Sequence, residues 1–235
     1  MPGIVIPTEK LARVGVTPYQ HQLEMTAEMC STEHKKIYNA SEMGCGKSAM
    51  AVMYANTMNC RNVLVVTVAS ARINWAREYQ LWSVFNNMKH QAFAVLSGRD
   101  AQTLITKRAI HPGNLPSPVI TSYEMIVSCK PLQKYVFDRE WDLIIPDEFQ
   151  KARSMGSQTA TIMGNLLLKV PRAMALSGTP MCNGAIDLLP FLFIAATSCS
   201  KIHQSLQRPV RCALPRCDKP GRTKENFAQN TTDGL

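Results

Sequence analysis

Apolar residues along this chain come in short runs of two kinds. Val63-Leu64-Val65-Val66 and Leu143-Ile144-Ile145 are apolar at every successive position. A strand with one wet face alternates, so continuous runs point to strands covered on both faces, as in a parallel sheet. Other runs repeat at helical spacing. Strands are expected over 36–38, 62–67, 91–96, 119–121, 141–145 and 173–176, and helices over 18–29, 47–58, 72–82, 100–109, 157–168 and 187–195. That alternation implies an α/β fold, a doubly wound parallel sheet with helices on both faces. Ligands in such sheets bind beyond the carboxyl ends of the strands. The stretch 111–118 carries three prolines and a glycine and reads as a surface loop. After about residue 196 the periodicity fades, and 198–235 has three prolines and few large apolar residues. The expected division is therefore a folded unit over 1–196 and a basic, poorly ordered tail, or the start of a second lobe, over 197–235.

Composition narrows the partners. Of 235 residues, 46% are hydrophobic, enough for a substantial core. The net charge of +9 favours an anionic partner, nucleic acid before a membrane surface. Residues 196–235 contribute seven Lys/Arg against three Asp/Glu, a surplus of four. The longest apolar stretch, 188–196, is too short to span a bilayer, and no secretory signal opens the chain. No membrane is expected. Eight cysteines follow no framework spacing, so reduced thiols and a cytoplasmic, nucleoid or host-cytoplasm location are expected. Cys199, His203, Cys212 and Cys217 lack the tight pairs of a structural zinc site, and free thiols are the expectation.

The segment Ser41-Glu42-Met43-Gly44-Cys45-Gly46-Lys47-Ser48 has the chemistry of a phosphate-binding loop. Glycines at 44 and 46 let the backbone wrap closely and turn its N–H groups toward an anion. Lys47 offers a compact positive charge for the outer phosphates of a nucleotide, and the Ser48 hydroxyl a ligand for Mg²⁺. The apolar run from Ala49 to Met53 reads as a helix whose N-terminus faces those phosphates. Downstream, Asp147-Glu148 follows an apolar strand. A carboxylate at a strand end, across from a lysine–serine loop, suits Mg²⁺–nucleotide chemistry: Asp147 holds the metal and Glu148 acts as general base toward water. Pro146 is tolerable only as the last strand residue or on an edge. Ser177-Gly178-Thr179-Pro180 follows the last strand and offers two hydroxyls at a third strand end. Trp75 and Trp82 lie seven apart and share a helix face, best read as core packing. Arg72, Arg77 and Lys89 could touch a DNA backbone or simply face solvent.

Taken together these segments resemble the first motor lobe of superfamily 2 helicases, and within them the Swi/Snf-type double-stranded-DNA translocases. Thr17-Pro18-Tyr19-Gln20 resembles the upstream adenine-recognising glutamine motif, and Glu42 to Ser48 resembles motif I. Val66-Thr67-Val68-Ala69-Ser70, followed by Asn74-Trp75 and Glu78, resembles motif Ia. Ile120-Thr121-Ser122-Tyr123-Glu124 resembles motif Ib. The segment from Trp141 to Arg153 resembles motif II, and Leu176 to Asn183 resembles motif III. The six lie in the family's order over roughly 15–195.

The resemblance implies a RecA-like fold of P-loop NTPase type and an ATP hydrolase of helicase type that acts on duplex DNA with ATP and Mg²⁺. It implies that Gln20 reads adenine, that Met43, Gly44, Cys45, Gly46, Lys47 and Ser48 bind the nucleotide, and that Ser48 and Asp147 hold Mg²⁺. Lys47, Glu148 and Gln150 would be catalytic, and Ser70, Thr121, Ser177 and Thr179 would contact DNA or couple it to the nucleotide. The chain departs from the family pattern at Ser41 (usually Asp), Ser48 (usually Thr) and Gln150 (usually His). Phe149 is expected to add bulk near the nucleotide cleft. The family also carries a second lobe with an arginine finger, and nothing after Ala196 resembles it. Such a finger is worth ~10³–10⁵ in rate in related hydrolases. A lone lobe should bind ATP weakly, hydrolyse it poorly and depend on a second lobe, from a longer chain or another one. Two alternatives stand beside this reading: a non-catalytic nucleotide- or DNA-binding regulatory module, and an unrelated P-loop enzyme such as a small-molecule kinase.

Overall fold

The computed structural model describes residues 6–13, 15–85, 92–111, 115–152 and 156–179, all within one compact unit. Its centre is a six-stranded sheet: β1 (Lys36–Asn39), β2 (Val63–Thr67), β3 (Phe93–Ala94), β4 (Val119–Ser122), β5 (Leu143–Pro146) and β6 (Arg172–Leu176). The spatial order is β1-β6-β5-β2-β4-β3. Every neighbouring pair is parallel, with Ile37 opposite Met174, Ile144 opposite Ala173, and Val65 opposite both Ile145 and Ile120.

Parallel neighbours need long crossovers, and helices supply them. The helices are α1 (Thr8–Arg13), α2 (Gln20–Ser31), α3 (Lys47–Thr57), α4 (Arg72–Trp82), α5 (Gly98–Ile110), α6 (Tyr123–Ser128), α7 (Lys130–Asp138) and α8 (Gln158–Lys169). Alternate strand residues feed two separate cores. Leu64, Val66, Val119 and Ile144 pack with α5 to α8 through Leu104, Ile126, Leu132, Val136 and Leu166. Val63, Val65, Ile120 and Ile145 pack with α1 to α4 through Leu11, Met50, Met53 and Trp75. Both faces are therefore covered, which is why β2, β4 and β5 are buried at every position. Helix α3 is buried from Ala49 to Asn56, in keeping with the apolar run from Ala49 to Met53.

The expected doubly wound parallel sheet is what forms, and all six expected strands are present with small shifts at their ends. Pro146 is the last residue of β5, so its missing N–H interrupts no continuing ladder, and Asp147 N–H takes up the next bond, to the Val66 carbonyl at 2.8 Å. Helix α5 begins earlier than expected because Ser97 caps it: its Oγ accepts the Asp100 N–H, and Asp100 Oδ2 accepts the Ser97 N–H at 2.8 Å. Helices α1, α6 and α7 are additional to those expected from the sequence. Helix α7 is nine residues long with Pro131 in its first turn, and it buries Leu132, Tyr135 and Val136. The expected helix over 187–195, the 196/197 boundary, Lys89, the tail and its Cys/His set lie outside the described residues.

Candidate functional site

Because the sheet is wholly parallel, the segments following β1, β6 and β5 leave from one edge and lie next to one another. Strand neighbours sit ~4.8 Å apart, so the loop after β1 and the acidic pair after β5, with β6 between, start roughly 10 Å apart. That span suits a triphosphate with its metal.

The loop after β1 is shaped by its glycines. Gly44 and Gly46 have φ of +86° and +76°, conformations that favour glycine. Gly46 also has no room: an added Cβ would lie 2.1 Å from Gln22 Nε2. Gly46 is the residue before α3, so the helix N-terminus opens directly from the loop. Asn39 Oδ1 accepts both the Ser41 N–H at 3.1 Å and the Ser41 hydroxyl at 2.6 Å, fixing the first turn. The Lys47 ammonium donates to the carbonyls of Ser41 at 3.0 Å and Glu42 at 2.9 Å. It also lies 3.6 Å from where a Cβ on Gly178 would stand, so the loop meets the segment after β6. Ser48 is half-buried in the first turn of α3.

The segments after β5 and β6 are joined by a hydrogen-bonded chain. The Thr179 N–H donates to Ser177 Oγ at 3.2 Å, and the Ser177 hydroxyl donates to Gln150 Oε1 at 2.8 Å. Gln150 Nε2 in turn donates to Glu148 Oε2. Glu148 has a φ of +50°, a strained conformation for a glutamate. Asp147 is held from three sides. Its Oδ2 accepts the Thr67 hydroxyl at 2.8 Å and the Trp75 indole N–H at 2.7 Å, and its carbonyl accepts the Tyr123 hydroxyl at 2.7 Å. Burial, and after it the negative charges of Asp147 and Glu148, hold the Tyr123 phenol well above its usual pKa, so it remains a donor.

Burial corrects two expectations, those for Phe149 and Thr121. Gln20 is exposed and donates to Glu24 Oε1 at 2.9 Å. Gln22, buried to 4% exposure, takes the place against the loop, where its Nε2 donates to the Cys45 carbonyl at 3.3 Å and its Oε1 accepts the Tyr19 N–H at 3.0 Å. The helix starts two residues later than the pattern implied, so Gln22 is its third residue and folds back on the N-terminus. His21 Nε2 lies 3.2 Å from the same Cys45 carbonyl, and its ring stacks on Tyr19. Phe149 adds no bulk to the cleft; it is buried edge-on against Tyr38. Thr121 is wholly buried in β4, and its hydroxyl has no hydrogen-bond partner among the described residues, so it does not reach a surface where DNA could lie. Arg72 is occupied by the carbonyls of Ala69 and Val95 at 2.9 and 2.8 Å. Met43, Gly44 and Ser70 are exposed, and Cys45 and Lys47 partly so. Trp75 is core, as expected, but its indole N–H is also part of the site.

The residues fit a magnesium nucleotide. The Ser48 hydroxyl and the Asp147 carboxylate are hard oxygens, and Asp147 Oδ1 accepts no hydrogen bond among the described residues. No three His, Cys, Asp or Glu side chains converge among the described residues. A metal here needs oxygens from nucleotide and water, as Mg²⁺ ordinarily does.

Comparison with known proteins agrees with this geometry. The family model of the SNF2-related domain matches residues 21–226. The chain belongs to the SNF2-related family. It is similar to the DNA repair and recombination protein RAD54B of Gallus gallus, at 30% identity over 197 residues, covering 79% of this chain and 20% of that protein. It is also similar to Helicase SWR1 of Cryptococcus neoformans, at 27% identity over 191 residues, covering 78% of this chain and 14% of that protein. Among solved structures, the Sulfolobus solfataricus SWI2/SNF2 ATPase core in complex with dsDNA superposes with a TM-score of 0.60 at 19% identity, covering 77% of this chain and 36% of that one. The UvsW helicase of bacteriophage T4 superposes with a TM-score of 0.52 at 12% identity, covering 77% and 58%. These likenesses identify a RecA-like first motor lobe of the Swi/Snf-type superfamily 2 helicases. The chain spans a fifth or less of the length of these two curated relatives.

Proposed function

We propose that this chain is the ATP-binding lobe of a DNA-dependent ATPase, hydrolysing Mg–ATP in step with its grip on duplex DNA. The observation that carries this reading is the arrangement of three adjacent strand ends: a glycine-shaped loop with its lysine, an Asp-Glu pair, and the Ser177–Thr179 turn wired to that pair through Gln150. The loop amides and the Lys47 ammonium hold the phosphates, Lys47 exchanging its two carbonyl partners for phosphate oxygens. Ser48 and Asp147 hold the metal, which neutralises phosphate charge when bound. Glu148 accepts a proton from the attacking water. Gln150 keeps the Glu148 carboxylate in place and passes its position to Ser177 and Thr179, the route by which nucleotide and DNA sense each other. Gln20, exposed at the start of α2, reads the base, while the buried Gln22 braces the loop. The excess positive charge supports DNA as partner. Full turnover rests on a second lobe that supplies an arginine finger.

The test is phosphate release by the chain with Mg–ATP, with and without duplex DNA. Release stimulated by DNA supports the proposal. Lys47→Ala should abolish nucleotide binding, while Glu148→Gln should bind an ATP analogue normally and release no phosphate. Turnover by Glu148→Gln at the parent rate removes Glu148 as the base. An analogue that binds the parent with no release, even after a second lobe is added, favours a regulatory module that binds nucleotide without turnover.

A further inference from the structure

Asp147 is anchored through both its carboxylate and its backbone, and the anchors come from outside the phosphate loop. Thr67 ends β2, and Trp75 projects from the first turn of α4. Both donate to one oxygen, Oδ2, at 2.8 and 2.7 Å. Thr67 is fully buried and Trp75 is 2% exposed, so water does not compete for either bond. Tyr123 and the Val66 carbonyl fix the Asp147 backbone at 2.7 and 2.8 Å. A carboxylate whose plane and position are fixed in this way has only one oxygen left to offer.

We propose that Thr67 and Trp75 are positioning residues for the metal: by occupying Oδ2 they orient Asp147 so that Oδ1 would be the oxygen left to hold Mg²⁺. Two neutral donors on one oxygen disfavour two-oxygen binding, and Mg²⁺ holds strictly to octahedral geometry. Partners that orient a metal ligand typically change metal affinity ~10–100-fold when removed. The indole N–H thus gives Trp75 a role beyond filling the core. This inference rests on the proposed nucleotide site.

The test titrates MgCl₂ into the full chain holding a fluorescent ADP analogue, with a parallel arm in EDTA. Trp75→Phe removes the N–H and keeps a ring. It should raise the half-saturating Mg²⁺ concentration about tenfold or more while leaving analogue binding in EDTA unchanged. Thr67→Val should do the same and Thr67→Ser should restore the parent value. That pair decides the matter if thermal unfolding shows Trp75→Phe to be unfolded. Equal Mg²⁺ dependence in the parent and the folded variants overturns the inference, as does a loss of equal size in both arms. A parent that binds no analogue in either arm overturns the nucleotide reading itself, and this inference with it.

Discussion

Replacing Gly46 by alanine puts one carbon where the structure has space for none. The backbone there has φ of +76°, which costs an L-residue about 1–2 kcal/mol. The new Cβ would also stand 2.1 Å from Gln22 Nε2. That atom ends a flexible side chain, so the clash is relieved by moving it, at the expense of its bonds. The Nε2 bond to the Cys45 carbonyl goes, and the Oε1 bond to the Tyr19 N–H goes with it if the amide swings out. At about 1 kcal/mol each, the displaced bonds add roughly 1–2 kcal/mol. Less conformational freedom in the unfolded chain returns about 0.4–1 kcal/mol. The net loss is roughly 2–3 kcal/mol. Gln22→Ala loses the same bonds without the backbone strain, roughly 1–3 kcal/mol. In the double variant those bonds are lost only once, so the two effects should fall short of additivity by roughly 1–2 kcal/mol. Urea unfolding of the parent, both single variants and the double variant measures this. Additivity within about 0.5 kcal/mol would refute the idea that Gln22 buttresses the loop through Gly46.

Burial pulls the Lys36 ammonium from its usual 10.5 down to about 8, and its Nζ is held by the Leu167 and Val170 carbonyls at the end of α8. Between those pH values the unfolded chain binds more protons at this site, so the folded state gains as pH rises. The stability of the parent relative to Lys36→Met should climb from pH 8 to 10.5, by up to roughly 3 kcal/mol, and a flat difference contradicts the assignment. Asn59, with φ of +53°, closes α3: its N–H meets the Asn56 carbonyl at 3.2 Å and the Cys60 N–H meets that of Ala55 at 2.8 Å. Asn59→Ala should cost about 1 kcal/mol in thermal unfolding while Asn59→Gly stays within about 0.5, and equal losses would remove the backbone explanation.

The sequence displays whatever is local and periodic. Continuous apolar runs revealed β2 and β5, because a strand buried on both faces needs apolar side chains at every position. The phosphate loop and Asp147-Glu148 were visible because their chemistry lies in neighbouring residues. What escaped depends on phase or on distant partners. The motif singles out Gln20, and a two-residue shift in the start of α2 is what brings Gln22 against Cys45. A glutamine as third helical residue was the available signal. Leu132, Tyr135 and Val136 carry helical spacing, but over a segment too short, with Pro131 at its start, for the period to stand out. Nothing local says that Trp75 reaches Asp147, 72 positions away. The neighbours of Phe149 in the chain suggest a place near the nucleotide, whereas its ring turns into the core against Tyr38.

The account stands on one metal-bound nucleotide being held jointly by the loop around Lys47 and by Asp147. Electron paramagnetic resonance of Mn²⁺, titrated with a slowly hydrolysed ATP analogue, measures that directly. One protein-bound Mn²⁺ per bound nucleotide is expected, both lost in Lys47→Ala, with the metal alone greatly weakened in Asp147→Asn. Mn²⁺ bound as tightly in Asp147→Asn as in the parent, or nucleotide held undiminished by Lys47→Ala, would contradict it.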